Sequence, residues 1–173
     1  MVRVYIPATL AMLTQLVADG VMPARSGTAF AVTPTLREAY AHGDEDELGE
    51  IALQEAALAS LRLLAGEGVG EGTGEEAGLP PRRAVLVAEA DDVTVRPDLD
   101  DAVVRLAGPI KLADVIAAYV DNSAAEPAVL AAVAVVDAAD LGDEDAELTV
   151  GDAQDHDLAW YAAQELPFLL ELL

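Results

Sequence analysis

The segment DEDELGEIALQEAALASLRLLA, residues 44 to 65, decides the fold, because its beginning, its buried face and its end all predict one long helix. Asp44 is placed to cap the first turn, and Glu47 three residues later completes a variant of the capping box. At about 100° per residue, leucine and alanine side chains between Leu48 and Leu64 form one broad apolar face. Gly66 supplies the expected stop. The segment itself carries no catalytic pattern.

Strand and helix signals on both sides of this segment predict a single α+β domain, with α/β as the alternative. RRAVLVAEA at 82–90 has the β-branched, apolar centre of a strand buried on both faces, so we place it centrally in a mixed sheet of about four or five strands. The other predicted strands are residues 3–6, 29–32, 102–107 and 116–120, and residues 147–150 are a possible short strand. We expect helices at 44–65 and 126–140 to cover the sheet, and a final helix from Leu158 that Pro167 kinks or restarts.

Two threonines follow the first two predicted strands and are placed to cap the next helices. Thr9 precedes a helix that ends at Gly20, and Thr33 precedes a Pro at the first helical position. If the two strands are parallel neighbours, both helix N-termini open on one edge of the sheet, where open α/β sheets bind ligands. The sequence therefore suggests a small-molecule site on a ledge formed by Tyr5, Thr9, Thr33 and Arg37. The simpler interpretation is that the threonines only cap.

The charge balance excludes several classes of partner. The chain has 32 acidic residues against 9 basic ones, for a formal net charge of −23. Binding to nucleic acid or to anionic membranes depends on Lys and Arg, so we expect neither partner. The acidic surface favours solubility, with attraction to a basic partner or adaptation to high salt as alternatives.

Features that the sequence lacks limit where the protein can be located and which chemistry it can perform. No cysteine is present, which excludes disulfides and thiolate metal sites and is compatible with the cytoplasm. The N-terminal segment lacks the features of a signal peptide, and the longest uncharged apolar run, residues 127–136, is too short to span a bilayer. We therefore expect a cytoplasmic protein. Residues 66–81, GEGVGEGTGEEAGLPP, have no apolar periodicity and predict a flexible insert within a single domain of residues 1–173.

Catalytic and metal-binding patterns are weak. His156 lies between Asp155 and Asp157, where a carboxylate could orient its imidazole, but acidic residues at this place are more simply helix caps. The acidic segment 140–157 lacks the ligand order of an EF-hand, and no GxSxG motif occurs. We expect no catalytic residues, no metal and no cofactor.

The C-terminal tail is too apolar to remain in water. Trp160 and Tyr161 are expected to pack on the protein's own sheet. Pro167 separates them from a second apolar group, which we expect at an interface between two copies: Phe168, Leu169, Leu170, Leu172 and Leu173. The alternative is that this group also completes the protein's own core. A homo-oligomer is therefore possible.

Four segments carry a resemblance to a known group of sequences. They are RVYIPATL at 3–10, AVTPTLREAYAHGDEDEL at 31–48, DAADLGDEDAELTV at 137–150 and LAWYAAQEL at 158–166. Together they resemble a family of uncharacterised actinobacterial proteins. This resemblance implies a coherent domain and transfers no activity, cofactor or site residue. From the residues, we favour a non-enzymatic cytosolic interaction or regulatory protein, with a small-molecule enzyme or binder that uses the ledge as the alternative.

Overall fold

An antiparallel sheet of seven strands organises the chain in a computed structural model that describes residues 2–23, 27–69 and 78–173. The strands in chain order are β1 (Val2–Ala8), β2 (Val21–Met22), β3 (Thr28–Phe30), β4 (Ala84–Ala90), β5 (Val93–Val95), β6 (Val103–Leu106), β7 (Ile110–Lys111), β8 (Val115–Val120) and β9 (Ala159–Ala162). The helices are α1 (Leu10–Asp19), α2 (Pro34–Ala39), α3 (Glu45–Gly66), α4 (Glu126–Asp140), α5 (Glu144–Gln154) and α6 (Leu166–Glu171). The seven strands lie in the order β5-β6-β3-β1-β4-β8-β9, and β2 pairs with β7 in a separate ribbon.

The α+β class is confirmed, whereas the expected mixed sheet of four or five strands is wrong. Every pair of neighbouring strands is antiparallel, and seven strands are present. The predicted final helix starts late, because Ala159–Ala162 pairs with β8 as an edge strand. The possible strand at 147–150 lies inside α5. Alanine-rich and acidic segments favour helix locally, so only strand pairing and tertiary packing decide whether such a segment becomes a helix or a strand.

The three N-terminal caps are confirmed where they were predicted, whereas the stop expected at Gly66 is wrong, because α3 includes Gly66 and its C-cap is Glu67. The backbone N–H of Glu47 donates to the Asp44 carboxylate (N to Oδ1, 2.8 Å), which starts α3. Thr9 caps α1 by accepting from the N–H of Met12, and Thr33 caps α2 by accepting from that of Leu36. Each bond closes within one turn and needs no distant partner. The sequence alone could therefore place these three helix starts.

Helix α3 covers one face of the sheet. The side chains that it buries include Leu48, Ala52, Leu53, Ala56 and Ala57. They pack with Phe30, Val85 and Val103 from three strands. Its alanines let the helix axis approach the strands closely, because a methyl group occupies little of the space between the layers. The opposite face of the sheet packs against α1 and α6.

The expectation that the helix at 126–140 covers the sheet is wrong. Helix α4 packs against α3 and α5, in a third cluster to which no strand contributes a buried residue among those described. Leu61 and Leu64 of α3 face Val129, Val133 and Val136 of α4 in this cluster. Helix α3 is apolar on two sides and therefore separates the sheet from the α4 and α5 pair. Half of the predicted flexible insert, residues 70–77, lies outside the described residues.

We expect Ser60→Ala to reduce the free energy of unfolding by about 1–3 kcal/mol. The wholly buried Ser60 hydroxyl donates to the Ala8 carbonyl (2.7 Å) and accepts from the Ala84 N–H (3.1 Å), so it ties α3 to two strands. Alanine would leave both backbone groups without this partner. Urea denaturation measures the loss, with the exposed Ser123→Ala as the control. Equal midpoints for the two variants would contradict this role.

Candidate functional site

A large cleft lies beside a gap in the sheet. Strand β1 pairs with β3 only at Tyr5 and Phe30. Beyond Phe30 the chain turns toward β6, and the N–H of Ala31 donates to the carbonyl of Ala102 (2.9 Å). Among the described residues, the first residues of β1 therefore have no strand partner on this side. A cleft of about 770 Å³ opens there, between β1, the β5 and β6 pair, α2 and the first turns of α3.

The lining of this cleft, hereafter the β1–α3 cleft, combines apolar and charged side chains. Its apolar part is formed by valines from three strands and from the segment after β3: Val2, Val32, Val93, Val95 and Val104. Its polar part contains Arg3, Tyr5, Thr33, Arg37, Glu45, Asp46, Glu50, Glu89 and Tyr119. A site with these groups can hold an organic molecule through hydrogen bonds and apolar contact together.

Tyr5 reaches the cleft from the face of the sheet that α3 covers. A Cβ at position 49 would lie 3.0 Å from the Tyr5 Oη, so Gly49 in α3 leaves the space that this hydroxyl occupies. Burial raises the pKa of Tyr5, and the neighbouring Tyr119, Glu50 and Asp46 raise it further against the lowering effect of Arg3. The hydroxyl is therefore protonated at neutral pH. It is available as a hydrogen-bond donor.

Both arginines of the cleft already face carboxylates. Arg37 donates from Nε to Glu45 Oε1 (3.0 Å), and its Nη2 lies 2.9 Å from the same oxygen. The Nε of Arg3 lies 3.7 Å from the Glu89 Oε1. These groups are partly exposed, so water screens the pairs and they contribute little to stability. Their effect is local, because each carboxylate offsets the charge of its arginine at the cleft wall.

Three of the four predicted ledge residues line this one cleft. Tyr5, Thr33 and Arg37 do so, whereas Thr9 does not. Thr9 lies four residues beyond Tyr5, which is about 13 Å along an extended chain. There it is buried and donates to Glu67 Oε2 (2.6 Å) at the end of α3. The expected parallel neighbours are wrong: β1 and β3 are adjacent but antiparallel, so their two following helices start at opposite ends of the sheet.

Sequence reasoning missed most of the cleft wall. Arg3, Glu50, Glu89 and Tyr119 come from four elements and share no motif. One usable signal was Gly49, because a glycine inside a strong helical pattern costs stability and usually has a packing reason. Here that reason is the approach of Tyr5.

The tail residues divide between the core and the surface. Leu169 is 7% exposed and packs with Leu166 in the cluster that includes α1. Leu170 is partly buried against the same cluster. Phe168 and Leu172 are 66% and 85% exposed, and Leu173 is also exposed. The interface between two copies stays a prediction, with these three exposed side chains as its available members.

In the described part of the chain, His156 makes a structural contact and no metal-binding cluster is found. The backbone carbonyl of His156 accepts from Arg83 Nη2 (2.8 Å), which gives this position a structural role. Within residues 2–23, 27–69 and 78–173, no three His, Asp or Glu side chains gather as they would around a metal ion. None of the helices described there has the length and apolar character needed to cross a membrane.

Comparison with known proteins gives a family without an assigned activity. No curated protein and no solved structure matches the chain. A family model matches residues 2–170, which is nearly the whole sequence, from β1 into the last helix. The chain therefore belongs to DUF6912, a family of unknown function.

Proposed function

We propose that this protein binds a small organic molecule in the β1–α3 cleft. The observation that carries the proposal is the convergence of Tyr5, Thr33 and Arg37 on one concave volume of about 770 Å³. Ligand sites in proteins are typically clefts of about 300–1,000 Å³ that place a few polar groups among apolar ones. The valines of three strands supply the apolar part here, and the hydroxyl of Tyr5 supplies a protonated donor.

The gap in the sheet beside the first residues of β1 explains why a ligand would bind here rather than elsewhere on the sheet. Where the strands are paired, their backbone groups bond to one another. Beside Val2 and Arg3, β1 pairs with β4 on one side and with no described strand on the other. A ligand in the cleft has access to this free strand edge as well as to the side chains. Such an edge offers hydrogen-bonding groups at fixed positions.

A second candidate function is the interaction or regulatory role that the sequence favoured. It is supported by the exposure of Phe168, Leu172 and Trp160, the last of which is 56% exposed on the edge strand β9. We place it second because none of these three side chains lines the β1–α3 cleft. We also propose a cytoplasmic location, which is supported by the absence of cysteine from the composition. We propose an actinobacterial origin as well, which is supported by the sequence resemblance.

The binding function can be tested with a pair of glycine variants. Gly49→Ala should weaken ligand binding by roughly twofold to tenfold, because the new methyl displaces the Tyr5 hydroxyl and its hydrogen bond. Gly151→Ala is the matched control, since this glycine is also helical and a Cβ there would meet nothing within 4 Å. The measurement is a screen of metabolite mixtures by amide chemical shifts, followed by titration of each compound that binds. The proposal fails if no compound at millimolar concentration perturbs the amides of the cleft, or if both variants bind every compound equally.

A further inference from the structure

The β1–α3 cleft carries more negative than positive charge. Four carboxylates line it against two arginines, which leaves a formal charge of −2. Arg37 is held by Glu45 and Arg3 faces Glu89, so the surplus lies on Asp46 and Glu50. Neither of these two forms an ion pair with any described residue. Glu50 accepts only a weak hydrogen bond from Gln54 on its own helix (3.2 Å).

Two aromatic side chains line the cleft together with this surplus. Tyr5 is half-buried, and Tyr119 extends from the same face of the sheet two strands away. The electron-rich faces of aromatic rings attract ammonium and guanidinium groups. Burial and then Tyr119 have the largest effects in raising the pKa of the Tyr5 hydroxyl, and Glu50 and Asp46 both lie close enough to raise it as well, against the lowering effect of Arg3. A cation placed there would be stabilised by both kinds of group.

The opposite charge fits this cleft poorly. An anion would have to displace Glu45 from Arg37 or Glu89 from Arg3, and it would meet Asp46 and Glu50 nearby. The field of the whole chain acts in the same direction, because a net charge of −23 repels anions and concentrates cations at its surface. The valines beside the charged wall favour a ligand that also has an apolar part.

We propose that the ligand of the β1–α3 cleft is an organic cation, in which an ammonium or guanidinium group is attached to an apolar body. The positive group lies between Glu50, Asp46 and the two tyrosines, and the apolar body lies against the valines of β1, β5 and β6. This inference rests on the proposed binding function and names the class of compound.

A set of three probes of nearly equal size and different charge tests the inference. The probes are 2-phenylethylamine, 2-phenylethanol and 3-phenylpropionate, which are cationic, neutral and anionic at pH 7. Each is titrated into the ¹⁵N-labelled protein at constant ionic strength while the amide shifts around Tyr5 and Gly49 are followed. We expect the amine to bind at least about fivefold more tightly than the alcohol, and the carboxylate to bind most weakly.

A matched pair of charge variants separates the cleft from the general acidity of the protein. Glu50→Gln should weaken binding of the amine by roughly threefold, whereas Glu147→Gln, an exposed glutamate on α5, should leave it unchanged. Equal loss in both variants would show that the amine senses only the total charge, and this would overturn the inference.

The remaining outcomes separate this inference from the proposed function. Equal or tighter binding of the alcohol or the carboxylate in the cleft overturns the cation and leaves the small-molecule site standing. If none of the three probes changes the amide shifts around Tyr5 and Gly49, the inference is overturned for the class of organic cation that the amine represents. The proposed function then depends on the metabolite screen, which also contains neutral and anionic compounds.

Discussion

Asp121→Ala is expected to lower the free energy of unfolding by about 3–5 kcal/mol, because it leaves the Arg83 guanidinium buried without its counter-ion. Arg83 and Asp121 are both 0% exposed. A loss of this size is a large part of the roughly 5–15 kcal/mol that stabilises a domain. It should reduce the melting temperature by on the order of 10 °C. Calorimetry or thermal denaturation followed by circular dichroism measures it.

The contacts of Arg83 explain why this position is sensitive. Its Nε and Nη2 donate to the two carboxylate oxygens of Asp121 at 2.9 and 2.8 Å, and its own backbone N–H donates to the same carboxylate at 2.8 Å. The guanidinium also donates to the Gln154 side chain and to the His156 carbonyl, both at 2.8 Å. One buried side chain thus joins the start of β4, the end of β8 and the end of α5. No pattern in the sequence indicated this network.

An exposed pair of similar geometry supplies the control. Arg96 and Asp98 also form two hydrogen bonds, at 2.9 and 2.8 Å, but they lie at the surface. Asp98→Ala should leave the melting temperature almost unchanged, because water solvates the arginine that remains. The double variant R83M/D121L should recover part of the loss, since it removes both buried charges together. Equal midpoints for Asp98→Ala and Asp121→Ala would contradict the importance of burial.

Leu169→Ala should destabilise the protein by about 2–5 kcal/mol, whereas the neighbouring Phe168→Ala should change stability little. Leu169 is buried in the cluster that includes α1, while Phe168 points away from it. The two substitutions occur in the same turn of α6 and therefore affect helix formation similarly. Urea denaturation measures both. A larger loss for Phe168→Ala in a monomeric protein would show that α6 packs with the opposite face inward.

The same two variants test the expected homo-oligomer by sedimentation. If two copies associate through the exposed side chains of α6, Phe168→Ala should convert the assembly into a folded monomer at the same protein concentration. A mass that Phe168→Ala leaves unchanged excludes Phe168 from any interface. A truncation after Leu166 removes both groups, so it should lower stability at every concentration because Leu169 leaves the core.

The cleft shows which of the predicted ledge residues the structure brings together and which it separates. Tyr5, Thr33 and Arg37 were grouped through an assumed parallel pair of strands, yet they share the cleft for another reason. Tyr5 pairs with Phe30, and Thr33 follows three residues later, so the short β3 brings them together. Thr9 was included by the same assumption and lies at the opposite end of β1. Residues that were grouped through an incorrect strand direction can therefore still lie beside one another.

The sequence by itself determined the features that depend on contacts within one helical turn or one strand. Asp44, Thr9 and Thr33 start their helices through hydrogen bonds to residues three positions away. The apolar run of β4 predicted its central, buried position. Such contacts cost little chain entropy, so local residue preferences are enough to specify them.

Only the tertiary structure decided which strands pair, in which direction, and what those pairings bring together. The Arg83 and Asp121 pair spans 38 residues, and β9 becomes a strand because the edge of β8 satisfies its backbone. The β1–α3 cleft exists because β3 ends at Phe30, opposite Tyr5, while β1 extends to Val2. These outcomes depend on the summed burial and hydrogen bonding of distant segments, which the residues of any one segment do not encode.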